Sequence, residues 1–132
     1  MSTDCRIRVI YGDTDQMGVV YYANYLRYFE AGRNELCRVC DIPYRALEER
    51  GLMLPVVDVS ARYLAPARYD DMVVVRTSIS HVGRAQLRFE YEVRREAGDE
   101  LLCTGHTVHA CLGKTGRPTR LPKDLVNALS RA

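Results

Sequence analysis

Residues 11–35 read YGDTDQMGVVYYANYLRYFEAGRNE. Two carboxylates, Asp13 and Asp15, stand in GDTDQMG, a stretch that is loop by composition and is closed by Gly18. A helical pattern follows. Tyr22, Tyr25, Leu26, Phe29, Gly32, Leu36 and Cys40 recur at three- and four-residue spacing, the buried stripe of an amphipathic helix. Asn24, Arg27, Asn34, Glu35 and Arg38 fall off that stripe. A helix running to Cys40 is roughly 25–28 Å long at 1.5 Å per residue. It needs a large apolar surface to cover it, and Gly32 on its stripe permits close packing against that surface.

The flanking sequence supplies such a surface. Before the loop, residues 6–11 (RIRVIY) alternate polar and apolar, as a half-buried strand does. After the helix, Asp41 followed by Pro43 reads as a cap and first turn. A short second helix over residues 44–50 stops at Gly51. The rest reads as strand. Residues 54–65 are β-branched and alternating, Pro66 breaks them, and residues 67–71 make a turn. Residues 72–82 form the next strand, and Gly83 marks a turn or bulge. Residues 84–96 alternate with Leu87, Phe89, Tyr91 and Val93 on one face. Residues 96–100 are a hairpin loop, and residues 101–112 form the next strand. A short terminal helix follows Pro122.

Strands joined by short turns form an antiparallel sheet, and a sheet face covering one long helix is an α+β layer. The 132 residues fit one domain, 1–132. Long strands on one small sheet leave an edge and an open face, which predicts burial against another subunit.

Composition excludes several classes. The net charge is +2 and no Lys/Arg run of five occurs, so nothing points to nucleic acid. No apolar run reaches the length of a membrane span. The first residues, MSTDCRIRV, carry no apolar targeting core, so the expected compartment is the cytoplasm. The five cysteines are an odd count and are expected as free thiols. Cys37 and Cys40 form a C-x-x-C inside the helical pattern, without a second pair at zinc spacing, and read as small buried hydrophobes.

An acid just before a helix start lies near backbone N–H groups that have no partner inside the helix. That arrangement holds a polarised carbonyl beside a nucleophile or base, which points to acyl transfer. Asp13 is expected to orient its neighbours by hydrogen bonds. Asp13 and Asp15 lack a third nearby acid for a Mg²⁺ site. Glu30 and Arg33 are spaced to pair on the helix. Cys103, His109 and Cys111 share a strand face and His106 points the other way, as packing rather than a metal site.

The stretch YGDTDQMGVVYYANY, followed by FEAGRNE and later by ARYLAPARYDD (residues 61–71), resembles the hotdog-fold acyl-CoA thioesterases. That family includes 4-hydroxybenzoyl-CoA thioesterase and the Tol–Pal-associated enzymes. The resemblance implies an antiparallel five-stranded sheet wrapped around a long central helix. It implies hydrolysis of an acyl-CoA to a free acid and CoA, with Asp15 as nucleophile or general base and the Tyr22 backbone N–H as oxyanion donor. Gly18 and Arg84 fall at substrate-binding positions, Arg84 with His81 nearby where relatives meet CoA phosphates. Subunits are expected to pair sheet to sheet as dimers, then as a homotetramer, with the active site at the interface. No metal or other cofactor is implied. A dehydratase on the same fold would use a histidine beside an acid, and the three histidines lie late in the chain. A non-catalytic acyl-CoA-binding module is the remaining alternative.

Overall fold

The alternation over residues 87–93 becomes the centre of the sheet. Leu87, Phe89, Tyr91 and Val93 are all buried on one face. The computed structural model describes residues 2–131. Five strands, β1 (Thr3–Arg8), β2 (Val56–Tyr63), β3 (Met72–Val82), β4 (Gln86–Arg95) and β5 (Leu101–Ala110), form one antiparallel sheet in the order β1-β3-β4-β5-β2. Three helices accompany it: α1 (Asn24–Val39), α2 (Tyr44–Glu49) and α3 (Lys123–Ser130). Because β1 and β2 occupy opposite edges, the segment joining them must cross the sheet. α1 makes that crossing and lies over the buried face.

Two glycines set how closely α1 approaches. A Cβ at Gly32 would stand 2.4 Å from Thr77 Oγ1 and 2.7 Å from Val75 Cγ1. One at Gly105, on β5, would stand 2.4 Å from the Ser60 carbonyl oxygen and 2.6 Å from the Phe29 ring. Phe29 fills that position and stacks on Tyr91, with ring centroids 4.3 Å apart and planes 4° from parallel. Side chains at either glycine would force α1 off the sheet.

The helix buries Tyr25, Tyr28, Phe29, Gly32, Leu36 and Cys37. The expected stripe is therefore corrected at three positions. Tyr22 precedes the helix and is 60% exposed, Leu26 is 41% exposed, and Cys40 is the half-exposed C-terminal cap. Tyr28 and Cys37 take their places, because the helix faces the sheet along the 25–28–29–32–36 line. Asp41 does not cap α2. It adopts a left-handed conformation (φ 61°) that ends α1, with the Asp41 N–H donating to Arg38 O and the Ile42 N–H to Cys37 O. β1 spans residues 3–8 rather than 6–11, and residues 11–13 form a 3₁₀ turn.

β2 departs furthest from expectation. It is a strand, as its alternating, β-branched sequence predicts, yet its side chains are exposed along nearly its whole length. It is an edge strand paired only with β5, and α1 meets it at its end, where the Tyr25 ring packs edge-on against Tyr63 at 5.2 Å. The other edge, β1, carries charged pairs: Arg76 with Asp4 at 2.9 Å and Arg6 with Glu96 at 2.5 Å. β2 instead offers Val56, Val57, Val59 and Tyr63 to solvent.

Gly105→Ala should destabilise the fold by about 1–3 kcal/mol through overpacking. A urea titration should show a lower midpoint at an unchanged slope.

Candidate active site

Asp13 is the buried anchor of the loop. It is 3% exposed, and its carboxylate accepts from Arg27 Nη1 at 2.9 Å, the Tyr28 hydroxyl at 2.9 Å and the Ile10 N–H at 3.3 Å. Its carbonyl accepts from the Tyr21 N–H and from Asn24 Nδ2, both at 2.9 Å. One residue thus ties the end of the β1 segment, the loop and the first turn of α1 together. Burial alone would raise the Asp13 pKa; the hydrogen bonds from Arg27, Tyr28 and Ile10 outweigh it and hold the pKa below the ordinary value. Burial, then the Asp13 carboxylate, raise the pKa of the Tyr28 hydroxyl and keep it a donor. Helical spacing places Arg27 only off the buried stripe; its role follows from a partner 14 residues away.

Asp15 is half-buried on the following turn. Its Oδ1 accepts from the Met17 N–H at 2.9 Å, leaving Oδ2 unpartnered among the described residues. The turn closes through Asp15 N–H to Val19 O and Gly18 N–H to Asp15 O. Gly18 stands at φ +79°, a conformation that disfavours any side chain.

A cavity of about 400 Å³ opens beside Asp15. Val20, Tyr22, Tyr25, Tyr63, Leu64 and Pro66 contribute to its walls. Hydrogen bonds pin these walls: Val20 N–H to Ala67 O at 2.8 Å, and Ala67 N–H to the Tyr25 hydroxyl at 3.4 Å. Arg95 Nη2 donates to Pro66 O at 2.6 Å. The Tyr63 hydroxyl donates to Tyr22 O at 3.0 Å. The first turn of α1 uses the N–H groups of Asn24, Tyr25 and Leu26. Those of Tyr22 and Ala23 donate to no acceptor among the described residues. An acid with a free oxygen and Tyr22, whose backbone N–H is unused, therefore line one largely apolar chamber at the helix start.

Asp15 and Tyr22 share this cavity; Gly18 shapes the turn without lining it. Arg84 is exposed in the β3–β4 turn, at the opposite end of the sheet. Within one chain it does not meet Asp15. His109 is buried against Leu54 O and Thr107, His106 pairs with Asp58 at 2.9 Å on the outer face, and His81 is exposed near Arg84. None lines the Asp15 cavity within one chain. Glu30 and Arg33 stand 4.0 Å apart. The wall formed by Tyr63, Leu64 and Pro66 was missed as a site. Its signal was apolar residues running up to a proline at the end of an otherwise alternating strand.

The profile of the Thioesterase-like superfamily matches residues 9–129. The chain is 37% identical over 123 residues to the acyl-CoA thioesterase YbgC of Haemophilus influenzae, covering 90% of this chain and 88% of that one. A crystal structure of a Thermus thermophilus protein superposes with a TM-score of 0.92 at 40% identity, covering 97% of both chains. A mutant 4-hydroxybenzoyl CoA thioesterase complexed with 4-hydroxybenzoyl CoA superposes with a TM-score of 0.88 at 26% identity, covering 97% of this chain and 98% of that one.

Because the folded-state pKa of Asp13 lies below its unfolded value, the ionised carboxylate stabilises the fold at neutral pH. That contribution is lost as pH falls through the folded-state pKa. Asp13→Asn should cost about 1.5–3 kcal/mol at pH 7. Thermal denaturation across a pH series should show the gap to wild type closing under acid conditions.

Proposed function

The chain belongs to the Thioesterase-like superfamily, and we propose that it is an acyl-CoA thioester hydrolase in which Asp15 and the Tyr22 backbone N–H carry the reaction. One observation carries the assignment of residues. Asp15, with an unpartnered carboxylate oxygen, and Tyr22, with an unused backbone N–H at a helix start, line the same largely apolar chamber.

The acyl group enters the chamber and its carbonyl oxygen accepts from the Tyr22 N–H. The 16-residue helix behind that N–H contributes roughly half a positive charge at its start. Such a fixed donor stabilises the developing oxyanion without reorganisation, typically worth about 10²–10³ in kcat. Asp15 acts by one of two routes. As nucleophile, its free oxygen attacks the carbonyl carbon and the C–S bond breaks. CoA leaves as a thiolate that takes a proton from solvent, and water then attacks the Asp15 carboxyl carbon of the mixed anhydride, so that the product acid keeps the oxygen Asp15 supplied. As general base, Asp15 takes a proton from water, which attacks the carbonyl carbon directly; the C–S bond breaks and the departing CoA thiolate takes that proton. Single turnover in ¹⁸O-water separates the routes, since only the anhydride places the first acid oxygen from Asp15 into the product.

The family reading extends to assembly. β2 is an exposed edge carrying Val56, Val57, Val59 and Tyr63, and a second copy pairing along it antiparallel would bring the far end of one sheet to the chamber of the other. That inversion would carry Arg84 of a second copy toward the CoA end of the site, with Gly18 keeping the loop tight. The proposed assembly is a dimer that pairs again as a homotetramer, in the cytoplasm.

Asp15→Asn should lose on the order of 10³-fold in kcat across a panel of acyl-CoAs while its circular dichroism stays that of wild type. Tyr22→Phe should change kcat only mildly, because the backbone rather than the phenol is the donor. A fully active Asp15→Asn enzyme would remove the assignment.

A further inference from the structure

A second cavity, of about 290 Å³, lies between α1 and the Val56 end of β2. Its apolar walls include Leu54, Pro55, Val56 and Phe89, and its rim carries Arg33, Asn34, Tyr44 and Glu30. Behind it runs a buried polar chain whose direction follows from its end. The Leu54 carbonyl only accepts, so His109 Nδ1, 2.8 Å away, carries the proton. Burial lowers the His109 pKa and keeps the ring neutral, so its Nε2 accepts, here from the Thr107 hydroxyl at 2.8 Å. Thr107 then accepts from the Tyr91 hydroxyl at 2.6 Å. Tyr91 has only an acceptor left, and Arg33 Nη1 faces it at 3.5 Å.

Arg33 is thus held by a chain that accepts one of its N–H groups and supplies no negative charge. Its side chain is only 18% exposed, and its nearest carboxylate, Glu30, stands 4.0 Å away and is 62% exposed. The Tyr44 hydroxyl accepts from the Leu54 N–H at 3.3 Å, so its own proton is free to donate. Arg33, Asn34 and Tyr44 present donors, and Glu30 presents the acceptor that opposes an anion. We propose that this cavity is a binding site for a small organic carboxylate, with Arg33 as its charge receptor and the apolar walls holding the hydrocarbon part. A guanidinium withdrawn from water pairs with a carboxylate more strongly than with a solvated side chain.

The carboxylate has two sources: a free acid, or the far end of an acyl group. Within one chain the two ends of β2 are seven residues apart, roughly 23 Å at 3.3 Å per residue. A short acyl group held at Asp15 cannot span that. In the antiparallel pair proposed above, the Val56 end of one β2 lies beside the Tyr63 end of the other. The second source therefore rests on the thioesterase and dimer reading; the first does not.

The test titrates the protein with benzoate and with hexanoate, followed by calorimetry. It also compares kcat/KM for adipoyl-CoA and hexanoyl-CoA, which differ by a terminal carboxylate. Saturable acid binding is expected, weakened at least about tenfold in Arg33→Met, tightened in Glu30→Gln and unchanged in Asp15→Asn. If free acids do not bind but the adipoyl-to-hexanoyl ratio falls at least about tenfold in Arg33→Met, the carboxylate is the acyl terminus. If the acids do not bind and the ratio is the same in wild type and Arg33→Met, the site is refuted. Acid binding that Arg33→Met leaves intact also refutes it. Wild-type turnover of hexanoyl-CoA reports on the thioesterase reading separately from either result.

Discussion

The contact between Phe29 and the sheet is the constraint from which the rest follows. Its ring occupies the space that a side chain at Gly105 would fill, and it stacks on Tyr91. Gly32, three residues on, removes the next obstacle at Thr77 and Val75. Large aromatic burial of this kind dominates core energetics, and it works here only because two positions have no Cβ. With α1 seated at that depth, its start is set in space, and so is everything built on that start.

The two acids of the loop divide the work by burial. Asp13 is withdrawn from water and spends both oxygens on Arg27, Tyr28 and Ile10. Its stability as an anion comes from those donors, so it has no capacity left for chemistry. Asp15 keeps one oxygen unpartnered among the described residues, on a turn that Gly18 makes possible. Asp13 also fixes the helix start: the same residue accepts from Tyr21 and Asn24, in the turn where the Tyr22 and Ala23 N–H groups stay unused. No helix among the described residues is long and apolar enough to cross a membrane.

The edges of the sheet are treated differently. β1 carries ion pairs to Arg76 and Glu96, while β2 shows valines and a tyrosine beside its Asp58–His106 pair. A cavity lies at each end of β2, one holding Asp15 and the other Arg33. The apolar edge and the two half-open chambers are parts of one design if a second copy completes them, since an antiparallel pair exchanges the two ends.

The sequence by itself determined the element order, the α+β class and the family, because these rest on local periods of two and near four and on one contiguous motif. Leu87, Phe89, Tyr91 and Val93 share the buried face that their alternation predicts. Asp15 and Tyr22 lie seven residues apart and meet in one cavity. What only the tertiary structure decided depends on contacts between distant segments. Helical spacing could not tell Leu26 from Tyr28, because which flank of the stripe is buried is set by the angle at which the sheet meets it. It could not show Gly105 under Phe29, Arg27 on Asp13, Tyr63 on the Tyr22 carbonyl, or Arg33 at the head of a chain ending on Leu54. Nor could alternation reveal that β2 is bare, since a strand's pattern records which residues suit burial, while its place in the sheet decides what is there to bury them.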